Sequence, residues 1–110
     1  MKTIHKYALK VSRELNRLTL REGFQVVRCE YVVPEKTVYL WVEEPLKVDI
    51  PERQYEFRVA FSGEPVPDHY VYRGTALDPF GPEAFHVFEA PAQQREQPYR
   101  ESSFRPVIAA

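Results

Sequence analysis

The sequence predicts an all-β fold: a small antiparallel β-sandwich or open barrel of six to seven strands, followed by a flexible C-terminal tail. Apolar and polar residues alternate with a period of two along several short segments, which is typical of half-buried strands. All ten prolines lie in or beside the connections between those segments, and proline is excluded from strand interiors. No long segment shows a convincing helical pattern.

Composition bounds the class of protein. A length of 110 residues indicates one β-domain, placed at residues 1–90, and a flexible polar tail at 91–110. A single cysteine excludes an internal disulfide framework. A net charge of −1 with interspersed signs argues against a nucleic-acid binder, which needs a basic stripe. No apolar run resembles a signal peptide or spans a bilayer, so we expect a cytoplasmic protein without a membrane partner.

A central hairpin is predicted from two strands at residues 24–33 and 37–42. In the first strand Val27 and Cys29 share one apolar face. Pro34 ends that strand, because proline cannot donate a ladder hydrogen bond. Both faces of the second strand are largely apolar, which predicts a central strand that is covered on each side.

The other strands follow in chain order. Residues 3–11 form an edge strand whose outward lysines discourage further pairing. For the next stretch two interpretations stay open: a helical turn at 13–17, or a loop and a short strand at 17–20. The missing capping box favours the loop and strand. Further strands are predicted at residues 54–61, 69–77 and 84–90. Gly74 in the second of these marks a bulge or a close backbone approach.

Residues with catalytic or metal-binding chemistry are few. If the first and last strands pair, His5 and His86 are neighbours. Together with Asp68 or Glu89 they could then bind a metal ion. No metal-ligand spacing accompanies them, so unrelated histidines are the simpler interpretation and we predict no metal and no cofactor. Cys29 reads as a small buried hydrophobe rather than a nucleophile. Nucleotide and serine-hydrolase fingerprints are missing, so we predict a protein that is not an enzyme.

Aromatic residues are frequent, with seven Tyr, seven Phe and one Trp. Core packing accounts for most of them. The functional alternative is a sheet face that exposes Tyr and Arg side chains, the usual anchors of protein interfaces. The candidate binding residues on such a face are Arg58, Tyr70, Tyr72 and Arg73, and His5 and His86 are further binding candidates.

Five short motifs fall in order along the chain: MKTIHKY at 1–7, YLWVEE at 39–44, SGEPVPD at 62–68, YRGT at 72–75 and FHVFE at 85–89. Together they resemble the short hypothetical proteins of bacteriophages, prophages and some bacteria that open M-K-T-I-H-K-Y and close F-H-V-F-E. The resemblance covers roughly residues 1–90, and Tyr39 replaces a cysteine of that family. It implies a phage or prophage context and a compact β-domain, but no mechanism. His5 and His86 lie in the matched ends.

We therefore expect a non-catalytic phage or prophage accessory protein that binds a host or phage protein, for example as an inhibitor of a host defence system. Two alternatives stay open: a small-molecule or metal binder, and a homo-oligomeric minor virion or assembly component. Phe104, Val107 and Ile108 are unusual for a solvent-exposed tail. Docking of this segment on the body, on a second copy or on a partner is a further hypothesis.

Overall fold

The computed structural model describes residues 1–91, which form seven strands in two antiparallel sheets. The strands are β1 (Lys2–Lys10), β2 (Asn16–Arg21), β3 (Gln25–Val32), β4 (Thr37–Pro45), β5 (Glu52–Phe61), β6 (Val71–Leu77) and β7 (Ala84–Ala90). One sheet has the order β1-β4-β3 and the other β2-β5-β7-β6. Since no strand joins both sheets, residues 1–91 form a sandwich and not a closed barrel, which confirms the predicted class. The tail predicted at 91–110 lies, beyond Pro91, outside the described residues.

The core lies between the two sheets and is built from alternate residues of each strand. Its members are almost fully buried: Leu9, Val38, Leu40 and Val42 from one sheet, and Leu20, Phe57, Val59, Ala76, Phe85 and Val87 from the other. Burial of each large side chain of this kind contributes roughly 1.5–3 kcal/mol relative to exposure. The strand predicted at residues 54–61 is confirmed as β5, and it alternates as a half-buried strand should: Phe57 and Val59 point inward while Arg58 between them points outward.

Strand β4 is central, as predicted, with β1 and β3 on its two sides. Every second residue of β4 is buried, but the other face is only half-buried. Tyr39 and Trp41 lie on that outer face, where the Lys6 ammonium stands 4.7 Å from the centre of the Tyr39 ring. Within residues 1–91 no second layer covers the outer face, and only long side chains of neighbouring strands shield it, so in this part of the chain the prediction that both faces are covered was wrong.

The β3–β4 hairpin is confirmed, but a bulge between Val26 and Arg28 changes which residues of β3 point inward. An extra residue in one strand shifts the alternation by one position. Val26 therefore packs on the core opposite Val42, together with Cys29, while Val27 is 48 % exposed. The prediction that Val27 shares the apolar face with Cys29 was wrong for this reason.

The segment between β1 and β2 is a loop, so the interpretation without a helical turn at 13–17 is confirmed. The Asn16 side chain closes this loop. Its Oδ1 accepts a hydrogen bond from the Lys10 N–H at 2.9 Å, and its Nδ2 donates to the Lys10 carbonyl at 3.2 Å. The predicted position of β1 at a sheet edge is also confirmed.

Both features predicted for Gly74, a bulge and a close backbone approach, are present. Strand β6 has a bulge between Tyr72 and Gly74. In addition, a Cβ atom at Gly74 would lie 2.6 Å from Cys29 Sγ, so β6 approaches β3 as closely as glycine alone permits. The edges of the two sheets meet at this contact.

Candidate functional site

Two rows of side chains cross the outer face of the four-stranded sheet. The first row is Arg58, Phe88 and Tyr72, and the second is Ala60, His86 and Thr75. Directly opposed side chains on neighbouring strands lie about 4.5–5.5 Å apart at Cβ, so each row forms a line of contacts. The structure thus brings together three of the predicted binding residues, namely Arg58, Tyr72 and His86. We call the surface formed by Arg58, Tyr72, Thr75, His86 and Phe88 the Tyr72 face.

A chain of hydrogen bonds runs along the Tyr72 face. Ser62 Oγ lies 2.8 Å from His86 Nε2, and Thr75 Oγ1 lies 3.0 Å from His86 Nδ1. The Tyr72 hydroxyl lies 2.5 Å from the same Thr75 oxygen. Neither Ser62 nor Thr75 was predicted from the sequence. The in-register pairing of β6 with β7 sets Thr75 beside His86, and the turn after β5, where Gly63 has φ +86°, brings Ser62 back over the sheet.

Tyr72 is the most exposed aromatic residue of this face. Its side chain is 56 % exposed, yet the ring packs edge-on against Phe88 with the ring centres 5.8 Å apart. The hydroxyl is held by Thr75 at the other end. Tyr72 therefore presents apolar area and a polar tip from a position that two neighbours fix.

Arg58 is not a free anchor. Its side chain is 16 % exposed, and Nη2 lies 3.4 Å from Glu64 Oε2 in the loop that follows β5. Glu64 also pairs with Arg13 at 3.2 Å and accepts a hydrogen bond from the Phe61 N–H at 3.0 Å. Arg58 thus fastens that loop to the sheet, and the prediction that it is an exposed contact residue was wrong.

Arg73 does not lie on the Tyr72 face. It occupies the bulge of β6, and its side chain points inward. There Nε and Nη2 donate to Glu89 Oε1 at 2.9 and 2.5 Å, and the guanidinium stands 5.3 Å from the centre of the Phe24 ring. Glu89 is 8 % exposed. The prediction that Arg73 belongs to the exposed aromatic patch was wrong, because Arg73 follows Tyr72 directly along the strand and therefore points to the opposite face.

Tyr70 lies one residue before β6, which begins at Val71 and not at His69 as predicted. Its N–H donates to the Pro67 carbonyl at 3.1 Å, and its ring meets His69 edge-on at 5.4 Å. Tyr70 is half-buried in this connection. It stands at the border of the Tyr72 face and is held by the loop rather than by the sheet.

His5 lies in the other sheet, on β1, and takes part in a separate cluster around the buried Glu44. His5 Nδ1 and the Tyr7 hydroxyl lie 3.0 and 2.5 Å from Glu44 Oε2, and the Arg21 N–H donates to Oε1 at 3.0 Å. The first and last strands do not pair, so His5 and His86 belong to different sheets. Across residues 1–91, no group of three or more His, Cys, Asp or Glu side chains is placed to hold a metal ion.

The electrostatics of this cluster favour an ionised Glu44. Burial alone would raise the pKa of Glu44, but hydrogen bonds from Tyr7, His5 and the Arg21 N–H outweigh it and hold the pKa below its usual range. Burial, and then the hydrogen bond to Glu44, raise the pKa of the Tyr7 hydroxyl well above its ordinary value. The cluster joins β1, β2 and β4 at one end of the sandwich, which is a structural task.

An open cleft of about 570 Å³ separates the edge strands β3 and β6 beside the Tyr72 face. Residues 28–31 form one wall, and Thr75, Leu77 and Pro79 form the other. Thr75 belongs to both the cleft and the Tyr72 face. Burial raises the pKa of the Cys29 thiol in this wall to about 11, so the thiol is neutral at physiological pH and a poor nucleophile.

The Ser62–His86 contact has the geometry of a nucleophile and its base, a constellation that the sequence analysis did not foresee. The third member, however, is the Thr75 hydroxyl and not a carboxylate. In acyl-transfer enzymes the carboxylate stabilises the imidazolium that forms when histidine takes the proton. The arrangement in this chain is better suited to holding side chains in place than to activating Ser62.

Fold and site together define a small β-sandwich with an aromatic surface and an adjoining cleft between two sheet edges. The chain matches the domain of unknown function DUF7352 over residues 1–98 and belongs to that family. No curated protein and no solved structure matches it. Within residues 1–91, no helix has the length and apolar character needed to cross a membrane.

Proposed function

We propose that this chain is a non-catalytic protein-binding module that uses the Tyr72 face, and that it acts as a phage or prophage accessory protein in the host cytoplasm. Its partner is a host or phage protein, and inhibition of a host defence system is one concrete form of this role. The observation that carries the proposal is Tyr72 itself, which is 56 % exposed and yet fixed by Phe88 and Thr75.

The energetics of interfaces support this choice. Tyrosine is enriched among residues whose truncation costs about 2 kcal/mol or more of binding free energy. A side chain that is already held in place loses less conformational entropy when a partner covers it. Tyr72 meets both conditions, because its ring and its hydroxyl each have a neighbour on the sheet.

The biological context rests on the motifs of the sequence. MKTIHKY at the start and FHVFE in β7 resemble proteins of phages and prophages, and the second motif contributes His86 and Phe88 to the Tyr72 face. The resemblance and the proposed surface therefore meet in the same strand.

The test is affinity capture from host cells that carry the corresponding phage or prophage, with the wild-type chain, Tyr72→Ala and Tyr39→Ala as bait. Tyr39 is the matched control, since it lies on the outer face of the opposite sheet. We expect a partner that wild type and Tyr39→Ala retain and Tyr72→Ala loses, with little change in melting temperature. Equal capture by all three chains, or loss with Tyr39→Ala alone, would overturn the Tyr72 face as the docking surface.

A further inference from the structure

The four edges of the sandwich differ in how well they are protected against pairing with another strand. β1 carries three lysines and β2 two arginines, charges that discourage strand addition. β6, the other edge of the four-stranded sheet, has neither lysine nor proline. Its single charged residue, Arg73, is turned inward onto Glu89. β6 is therefore the least protected of these three edges.

The backbone of β6 offers hydrogen-bonding groups to the cleft. The Asp78 N–H donates to the Glu83 carbonyl at 3.1 Å, which continues the β6–β7 register. In an antiparallel ladder, bonded pairs alternate with pairs whose N–H and C=O groups point to the other side. Ala76 therefore directs its backbone groups to β7, whereas Thr75 and Leu77 direct theirs away from it. These last two residues line the cleft.

The shape of the cleft follows from the contact between the two edges. Gly74 touches Cys29 and brings the strands together, and the cleft extends from there toward Leu77. Its volume of about 570 Å³ lies within the ~300–1,000 Å³ of typical ligand pockets. That space suits a short stretch of one chain and not the folded body of a second copy.

The charges in the cleft define the chemistry of its occupant. Arg28 Nε donates to Glu30 Oε2 at 2.7 Å, so the two charges on this wall compensate each other. Tyr31, Leu77 and Pro79 make up most of the remaining lining. Leu77 is 68 % exposed, and Phe80 just beyond β6 is 86 % exposed. An uncharged, apolar side chain complements this wall, because Arg28 and Glu30 already pair with each other and the other lining residues carry no charge.

We propose that an extended segment of the partner protein enters this cleft and adds to the four-stranded sheet as a new strand beside β6. The inference rests on the proposed protein-binding function and specifies how the partner is held. Backbone hydrogen bonds to Thr75 and Leu77 provide affinity. The side chain opposite Ala76 points into the cleft toward Tyr31 and is apolar, while its neighbours lie on the outer side near Leu77.

The experiment selects peptides from a displayed random library on the full chain and measures their affinity for three variants. Leu77→Pro removes the outward N–H but leaves the bonds to β7, since Leu77 lies between bonded pairs. Leu77→Ala is the matched control, because it removes the side chain and keeps the N–H. Tyr72→Ala reports on the Tyr72 face alone.

We expect the enriched peptides to carry apolar, uncharged residues at every second position, because alternate side chains of an added strand point into the cleft. Their affinity should fall at least about tenfold with Leu77→Pro and stay within about threefold with Leu77→Ala. Exchange of the Leu77 amide proton should slow when peptide binds. A second measurement leaves the protein untouched: N-methylation at alternate positions of a selected peptide should abolish binding in one register only.

Five outcomes would overturn the inference, and the last of them would overturn the proposed function as well. Peptides that bind Leu77→Pro as tightly as wild type but fail on Tyr72→Ala would place docking on the Tyr72 face and leave the proposed function intact. Capture of a partner without enrichment of any peptide would likewise leave the proposed function intact and rule out strand addition beside β6. Self-association that Leu77→Pro abolishes would make a second copy the occupant, and peptide binding strengthened by Phe104→Ser would make it the chain's own C-terminal segment. Failure of both peptide selection and partner capture would overturn the function itself.

Discussion

Gly74 lies directly against Cys29, and this contact joins the edges of the two sheets. A methyl group on Gly74 would stand 2.6 Å from Cys29 Sγ, a separation that packed atoms do not tolerate. We predict that Gly74→Ala lowers the free energy of unfolding by about 1–3 kcal/mol, as measured by urea denaturation.

The double variant tests the cause of that loss. With Cys29→Ala the obstructing sulfur is gone, and the next atom, Cys29 Cβ, lies 3.9 Å from the position that the methyl group of Gly74→Ala would occupy, an ordinary contact. Gly74→Ala in that background should cost clearly less than in wild type. Equal cost in both backgrounds would mean that the backbone of β6, and not this contact, requires glycine.

Acid stability should depend on Glu44. Its pKa is lower in the folded chain than in the unfolded chain, so its contribution is complete above the unfolded carboxyl pKa of about 4.3 and is lost as the pH falls through the folded value. Glu44→Gln should flatten this loss in urea titrations below about pH 4.3. Glu43→Gln is the control, because Glu43 points outward to Lys2. An unchanged profile for Glu44→Gln would contradict the buried cluster.

Stability at alkaline pH should depend on Tyr7, which belongs to the same cluster. Its folded pKa is raised, so its contribution is complete below the unfolded tyrosine pKa of about 10 and is lost as the pH rises above that value. Tyr7→Phe should cost about 1–2 kcal/mol at neutral pH, since Glu44 loses a donor. Tyr39→Phe should have no measurable effect, because the Tyr39 hydroxyl binds an exposed Glu35. Comparable losses for both variants would refute a special role for Tyr7.

The ion pair between Arg73 and Glu89 should contribute to the stability of the fold. Its removal leaves Glu89, 8 % exposed, without its cation. We predict that Arg73→Ala lowers the free energy of unfolding by about 1–2 kcal/mol, less than for a fully buried pair because Arg73 is partly exposed. Arg53→Ala, which breaks an exposed pair with Glu22, should stay within about 0.5 kcal/mol. If both variants behave alike, the inward ion pair contributes nothing.

Cys29 should react slowly in the folded chain. Its thiol pKa of about 11 means that the alkylation rate with iodoacetamide still rises at about pH 10, whereas the unfolded chain in urea should approach its plateau there. Mass spectrometry of the alkylated chain at several pH values measures both curves. Coincident curves would show that the thiol is accessible and unperturbed.

The sequence predicted the strands well because alternation is a local property. Phe57 and Val59 in β5 could be placed on the core without knowledge of any partner strand. The bulge in β3 defeated the same reasoning at Val27, because one inserted residue reverses the direction of a side chain and leaves no clear mark in the sequence. The bulge in β6 was predicted, because Gly74 interrupts the pattern of that strand.

Contacts between strands that are distant in the sequence could not be predicted, for a different reason. His5 and His86 could be judged neighbours only by assuming a strand order, and the order is set by how two apolar faces pack. Ser62 could not be linked to His86 because that contact depends on the turn at Gly63. Tyr72 was found from its residue type alone, and its support by Thr75 required the register of β6 against β7.

The hydrogen-bond chain from Ser62 to Tyr72 has two self-consistent directions, one for each tautomer of His86. When Thr75 donates to His86, Tyr72 must donate to Thr75 and shows only its oxygen lone pairs outward. When His86 donates to Thr75, Thr75 can donate to Tyr72, and the phenolic proton is available to a visitor. A group that binds Ser62 and selects one tautomer of His86 therefore determines whether the Tyr72 hydroxyl is free to donate a hydrogen bond outward.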